Sequence, residues 1–242
     1  MRVLVVTAVT AEADAVSGGL GAGTERDLPG GYLLTAHPRT DVAAAGGTDV
    51  LAAGVGPAAA AAGTATALAL AAASAASPAP YDLVVSAGIG GGFQPLAPLG
   101  SLVVADAIVA ADLGAETPEG FLPVDELGFG RTVHRPPPAL AARIAGLLAA
   151  VHAPVLTVST VTGSAARTAE LTARHPRAAA EAMEGFGVAE AAAAYSVPVI
   201  EIRAVSNAVG PRDRSAWRIG PALDALRYAF QQLSPVFEES SP

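Results

Sequence analysis

The chain contains no cysteine and no lysine. Without cysteine there is no disulfide, no thiolate nucleophile and no cysteine-held zinc or iron–sulfur site. Without lysine there is no Schiff-base nucleophile and no phosphate-loop lysine. Charge of either sign is scarce. The 14 basic residues, all arginine, are set against 22 acidic ones, a net charge of −8 over 242 residues. A nucleic-acid binder needs a basic face to displace counterions, and an anionic membrane surface asks for the same; this composition supplies neither. The four histidines (His37, His134, His152 and His175) show no metal-ligand spacing and are read as structural or exposed. No metal and no organic cofactor is expected.

A long lipophilic run is also missing. Residues 50–81 carry no charge, but the body of that stretch is alanine, which is far less lipophilic than leucine or isoleucine. Gly54, Gly56 and Pro57 break it at one end. A buried or half-buried helix explains it better than a membrane span. The Val3–Val9 run is too short to span a bilayer. Glu12 and Asp14 follow it, where a signal peptide would want a small-residue cleavage site. A cytoplasmic location is therefore expected.

Apolar, β-branched runs predict strands at Arg2–Thr7, Tyr32–Ala36, Val42–Ala45, Val50–Ala53, Asp82–Ala87, Leu102–Ala110, Val155–Ser159 and Val199–Ala204. Helices are expected near Glu12, from Pro57 through Ala76, over Ala139–Val151, after the Thr160–Ser164 loop, over Glu184–Tyr195 and over Pro221–Leu233. Pro57 suits the first turn of its helix. Residues 18–31 read as a glycine-rich loop, residues 112–138 as irregular, and the last few as frayed. Strands alternating with helices, with no linker-like stretch between them, predict a single α/β domain. Its sheet should be largely parallel, with ligand groups at strand C-terminal ends.

Several clusters carry possible chemistry. In Gly88-Ile89-Gly90-Gly91-Gly92, the glycine spacing and the following Gln94-Pro95 exclude the dinucleotide fingerprint. A tight turn is one reading; close approach of a ligand to the backbone is the other. Gly54-Val55-Gly56-Pro57 is either a plain strand-to-helix turn or a helix N-terminus offered to a polar ligand. Glu12 is either a solvated acid in the first helical turn or a functional carboxylate. In Glu181-Ala182-Met183-Glu184-Gly185, Glu181 is expected to face solvent. Glu184 precedes an apolar helix and needs a partner if buried, ligand hydroxyls being one candidate. Asn207 is either a turn former or an amide that hydrogen-bonds a heterocycle. Arg212-Asp213-Arg214-Ser215-Ala216-Trp217-Arg218 is the one basic, aromatic cluster: a surface loop, or a loop that gates a site and pairs an anionic substrate group. A sugar-binding carboxylate and a purine-reading amide, about a strand and a helix apart, point to a nucleoside site.

Taken in order along nearly the whole chain, these motifs resemble the nucleoside phosphorylase and nucleosidase superfamily. Met1–Glu12 is similar to its opening strand and acid, and Gly54–Pro57 to its glycine turn. Ser86–Phe93 with Leu99–Asp106 is similar to its glycine-rich segment and next strand. Ala182-Met183-Glu184 resembles its Glu-Met-Glu motif, and Arg203–Asn207 its Arg-Ala-x-Ser-Asp motif. Two departures stand out: Ala182 replaces the first Glu, and Asn207 replaces an Asp that protonates adenine. An amide suits a 6-oxopurine better. Ser206–Asp213, with Trp217 close behind, resembles the futalosine hydrolases of menaquinone biosynthesis, which cleave hypoxanthine from futalosine. The implied fold is a three-layer phosphorylase/hydrolase-like one, with a central mixed, largely parallel sheet flanked by helices.

The resemblance implies that Glu12 activates the attacking water and Asn207 stabilises the departing base. Glu184 holds the ribose 2′-hydroxyl, with Met183 on the sugar face. It further places Ile89, Gly90, Gly91, Phe186 and Ser206 against substrate. One of Arg212, Arg214 or Arg218 would meet a carboxylate on the 5′ arm. The expected partner is a small nucleoside, and a homo-oligomer is implied. The rival readings are a methylthioadenosine/adenosylhomocysteine-type nucleosidase, a 6-oxopurine phosphorylase, and a non-catalytic nucleoside binder.

Overall fold

Alternate side chains of the first strand feed two different cores. Leu4 and Val6 join one apolar cluster, Val3 and Val5 another, and all four are buried. A strand apolar on both faces belongs in the middle of a sheet covered on both sides. The computed structural model, which describes residues 1–38, 46–73 and 81–238, has that architecture.

The elements run β1 (Arg2–Thr7), α1 (Thr10–Leu20), β2 (Thr24–Leu28), β3 (Tyr32–Pro38), β4 (Gly47–Ala52), α2 (Pro57–Ala73), β5 (Leu83–Gly92) and β6 (Leu102–Ala110). They continue with β7 (Gly114–Thr117), β8 (Gly120–Pro123), β9 (Val133–His134), α3 (Pro138–Leu147), β10 (Val151–Thr157), α4 (Ala165–Arg174) and β11 (Ala180–Ala182). The chain closes with α5 (Gly185–Ala194), β12 (Val199–Ala208), a 3₁₀ turn (Arg214–Ala216) and α6 (Ile219–Glu238).

The large sheet has the order β11-β10-β6-β12-β5-β1-β4-β3-β2, with β9 on β6, and β11 also pairs with β5. Part of the sheet therefore closes on itself. The centre, β4-β1-β5-β12, is parallel, as are β6–β10 and β10–β11. β2–β3, β3–β4, β5–β11, β6–β12 and β6–β9 are antiparallel. The sheet is mixed, with its parallel pairings concentrated where the site forms. Helices α1, α3 and α6 cover one face, α2 and α5 the other. Among the described residues no helix is long and apolar enough to cross a membrane.

Three expectations change. Residues 18–31 contain β2, an edge strand whose residues are almost all exposed; Thr24-Glu25-Arg26-Asp27 shows no apolar alternation because neither face is buried. Residues 112–138 hold the β7–β8 hairpin and β9. Gly88–Gly92 is neither turn nor loop but the continuation of β5, paired with β12 on one side and β11 on the other. The strand expected over Val42–Ala45, the end of the helix expected through Ala76, and residues 239–242 lie outside the described residues.

Candidate active site

β1 ends at Thr7, and the chain turns directly into α1. Glu12, in the first turn of α1, folds its carboxylate back over that turn. Oε2 accepts from the N–H of Ala8 (3.0 Å) and Val9 (3.3 Å), and Oε1 accepts from the N–H of Ile89 (2.8 Å). It is not the solvated acid of the simpler reading, for only 4% of Glu12 is exposed. Burial raises its carboxyl above the usual carboxylate range, and Glu184 adds to that. Arg203 and the N–H groups of Ile89 and Ala8 pull the other way. The balance leaves a carboxyl titrating closer to neutrality than a free one, as a general base requires.

Arg203 is the hub behind this group. It projects from β12 and is wholly buried. Nε donates to Glu201 Oε1 (2.9 Å), Nη1 to Glu184 Oε2 (3.2 Å) and Nη2 to Ser86 Oγ (3.1 Å). Burial alone would lower its pKa, but Glu201, Glu184 and Glu12 together more than reverse that and leave it raised. Glu184 also accepts from the N–H of Gly56 (3.2 Å) and of Met183 (3.3 Å). The Gly54–Pro57 turn, with Gly54 and Gly56 at positive φ, thus aims a backbone donor at a carboxylate. The partner that Glu184 requires is Arg203 together with this turn. Glu201 lies beneath Gly185, where any Cβ would run into its carboxylate. Burial raises the Glu201 carboxyl, and its Oε2 has no hydrogen-bond partner.

Gly88 shows why the strand is glycine-rich. A Cβ there would lie 2.7 Å from Glu12 Oε1 and 2.8 Å from Arg203 Nη1. At Gly91 it would meet Val209 Cγ2 at 2.9 Å and Asn207 Nδ2 at 3.2 Å. Asn207 follows a bulge in β12, which inserts Ser206 between Val205 and Asn207. Ser206 Oγ lies 3.2 Å from Gly90 O and 2.9 Å from Asn207 Oδ1. Asn207 Nδ2 donates to Ala208 O (3.0 Å).

A cavity of about 420 Å³ opens over these strand ends, in the size range of small-molecule sites. Glu12, Met183, Glu184 and Asn207 line it, with Ile89, Gly90, Gly91, Ser206 and Arg212. Val55, Thr162, Glu181 and Trp217 are also part of its wall. A second, more open hollow of about 560 Å³ lies between α4 and Val209–Pro211 and has no titratable lining. Among the described residues no cluster of His, Cys, Asp or Glu is arranged to hold a metal.

A buried carboxylate, a carboxylate held by an arginine, and an amide share one cavity at the C-terminal ends of parallel strands. That arrangement suits cleavage of a bond between a sugar and a heterocycle. The phosphorylase superfamily model matches residues 40–232. A futalosine hydrolase of Streptomyces coelicolor is 61% identical over 243 residues, covering 100% of this chain and 99% of that one. A second, of Acidothermus cellulolyticus, is 45% identical, covering 95% and 89%. The chain belongs to the futalosine hydrolase family of the phosphorylase superfamily. Among solved structures, a mutant futalosine hydrolase of Helicobacter pylori superposes with a TM-score of 0.80 over 98% of this chain and 99% of that one; at 16% identity it speaks for the shared fold alone.

Of the residues expected at the site from the family resemblance, Phe186 is set apart. It does not line the cavity: it sits in the core against His134, ring centroids 5.2 Å apart, and its N–H donates to Thr157 Oγ1. Glu181, expected to face solvent, is 5% exposed and lines the cavity. Thr162 donates to it from backbone (2.8 Å) and hydroxyl. The sequence reading missed it because Ala180–Ala182 was not recognised as a strand. Of the three candidate arginines, only Arg212 lines the cavity, 5.7 Å from the Trp217 ring centroid. Arg218 turns back to Ser215 O.

Proposed function

We propose that residues 1–242 form one domain that hydrolyses the N-glycosidic bond of futalosine, releasing hypoxanthine and leaving dehypoxanthine futalosine. The step belongs to menaquinone biosynthesis, in the cytoplasm, and the enzyme acts as a homo-oligomer. The single observation that carries this reading is the shared cavity of Glu12, Glu184 and Asn207. Identity of 61% to a futalosine hydrolase supports the choice of substrate.

The glycosidic bond loosens first, leaving an oxocarbenium-like sugar and an electron-rich purine. Glu184, held by Arg203 and Gly56, accepts from the ribose 2′-hydroxyl while Met183 packs on the sugar face. Glu12 takes a proton from the attacking water, a role worth roughly 10²–10⁴-fold. A carboxylate beside the reacting carbon repels phosphate and leaves water as the nucleophile. The amide of Asn207 stabilises the departing base; a fixed dipole of this kind is worth about 3 kcal/mol. Ser206 and the backbone of Ile89, Gly90 and Gly91 border the nucleoside, and Arg212 faces the carboxylate of the 5′ arm.

Incubation with futalosine, inosine and methylthioadenosine, with and without phosphate, tests the reading. Hypoxanthine should appear from futalosine at a rate independent of phosphate. Phosphate-dependent release, or adenine release alone, would overturn it.

A further inference from the structure

Glu201 is the one acid around Arg203 that the proposed reaction does not use. It is fully buried and does not line the cavity. Glu201 and Arg203 stand two apart on β12 and so project to the same face. Their 2.9 Å contact joins no two elements, because both residues already belong to one strand. Replacing a buried pair of this kind by well-packed apolar residues is often neutral or stabilising, so stability does not explain it. Gly185 adds a second cost. Glycine is a poor helix former, yet it opens α5 with no positive φ to require it. What requires it is space: a Cβ there would overlap both carboxylate oxygens and Cδ of Glu201. The helix start is cut away to admit a carboxyl whose Oε2 then goes unpartnered. What both arrangements secure is the bond that Oε1 makes.

The strand register shows what that bond does. Glu201 is the β12 partner of Ser86 on β5, and Arg203 is the partner of Gly88, two residues further along each strand. Gly88 has no side chain, so Arg203 is held from the level of Glu201 and Ser86, by Nε and by Nη2. A guanidinium is a rigid planar fork, and two anchored nitrogens fix its plane. The remaining arm, Nη1, then meets Glu184 Oε2 at 3.2 Å, and Glu184 faces the cavity. Without the bond at Nε, Ser86 is left as a single pivot about which the plane can turn. Oε1 accepts from Nε whether or not the carboxyl is ionised, so the burial that raises Glu201 does not undo the hold.

Resting on the futalosine reading, we infer that Glu201 is a positioning residue: it holds Arg203 by Nε so that Nη1 sets the Glu184 carboxylate for the sugar, and Gly185 is the cut-away that admits it.

The test compares wild type with Glu201→Leu, Glu201→Gln and Gly185→Ala, each shown to be folded by thermal melting. Glu201→Leu removes the acceptor and Glu201→Gln keeps one. Gly185→Ala drives the carboxyl off Nε without removing it, and so decides the matter even if Glu201→Leu does not fold. The first readout needs no substrate: NMR of isotope-labelled arginine side chains. The two Nη signals of Arg203 should be separate in wild type and Glu201→Gln, and should merge in Glu201→Leu and Gly185→Ala as the guanidinium begins to turn. Separate signals in either of the last two would overturn the assignment. The second readout is the loss in kcat/KM when futalosine is replaced by its 2′-deoxy analogue. That loss should be about tenfold to 100-fold larger in wild type and Glu201→Gln than in Glu201→Leu and Gly185→Ala, the range for one hydrogen bond to a charged group. The intrinsic lability of the deoxy bond cancels in this comparison. A merely structural role would lower Tm and leave it unmoved, so a loss of equal size in every protein would also overturn the assignment. If wild type released no hypoxanthine from futalosine while the Arg203 signals behaved as expected, the function reading would fall and the hold on Arg203 would stand.

Discussion

Gly88→Ala is the sharpest test of how the site is built. Gly88 lies in β5 at ordinary extended angles, so alanine is conformationally allowed and only space is at issue. The added methyl would sit 2.7 Å from Glu12 Oε1, 2.8 Å from Arg203 Nη1 and 3.0 Å from Glu12 Cδ. Ordinary contact begins at 3.4 Å, so one partner must retreat by about 0.7 Å. Arg203 is wholly buried and donates to Glu201, Glu184 and Ser86, so it has nowhere to go. Glu12 moves instead and loses its 2.8 Å bond from Ile89. Overpacking of this kind costs about 1–3 kcal/mol, which at this chain length lowers Tm by roughly 2–12 °C. Misplacement of a reacting group by about 1 Å costs on the order of 100-fold in rate, so kcat should fall at least tenfold while the protein stays folded. The assays are thermal melting and steady-state release of hypoxanthine, for Gly88→Ala, Glu12→Gln and the double variant. If the methyl acts by displacing Glu12, adding it to Glu12→Gln should cost little further activity. Wild-type kcat in Gly88→Ala, or losses that multiply in the double variant, would refute the reasoning.

Glu12→Gln should lower turnover roughly 10²–10⁴-fold with only a modest rise in KM, read from single-turnover and binding measurements; unchanged turnover would remove Glu12 from water activation. Asn207→Asp should shift preference toward adenine nucleosides, read as the ratio of kcat/KM for matched adenine and hypoxanthine substrates. An unaltered ratio would mean that the amide does not face the base. Burial raises the carboxyls of Glu12, Glu181 and Glu201, so the folded protein holds their protons more tightly than the unfolded chain does. Their contribution to stability is then full at low pH and lost as pH rises above the ordinary glutamate range through the raised values. Glu201→Gln, which cannot ionise, should therefore flatten the fall in Tm as pH rises above the ordinary glutamate range; a slope equal to wild type would show that Glu201 does not contribute to that fall.

The core was legible because its period is plain. β1 and β6 occur where their apolar runs lie, Arg2–Thr7 and Leu102–Ala110. Segments whose identity depends on tertiary pairing were not. β2 carries charge on an exposed edge, and β11 is three residues long inside alanine-rich sequence. Glu12, Met183, Glu184 and Asn207 could be named because a family pattern marks them. Glu181 could not, since its burial follows from β11 pairing with β5, a contact between residues about 90 positions apart that no local window contains. The partner of Glu184 was hidden for the same reason. Arg203 was visible in a motif, but its reach to Glu184 depends on neighbouring elements of the folded sheet.

The two halves of the site use the glycines of β5 for the same purpose. At Gly88 the missing side chain lets Glu12 and Arg203 approach, so that one guanidinium stabilises a carboxylate from α1 and another at the start of α5. At Gly91 it lets the side chains of Asn207 and Val209 close over the strand. Elsewhere the chain is apolar enough that each buried acid must be matched, and a single arginine serves three of them. Replacing Arg203 with methionine should therefore be worse than losing any one acid. It leaves Glu12, Glu184 and Glu201 facing one another without a counter-charge, and breaking one side of a buried ion pair costs about 3–5 kcal/mol.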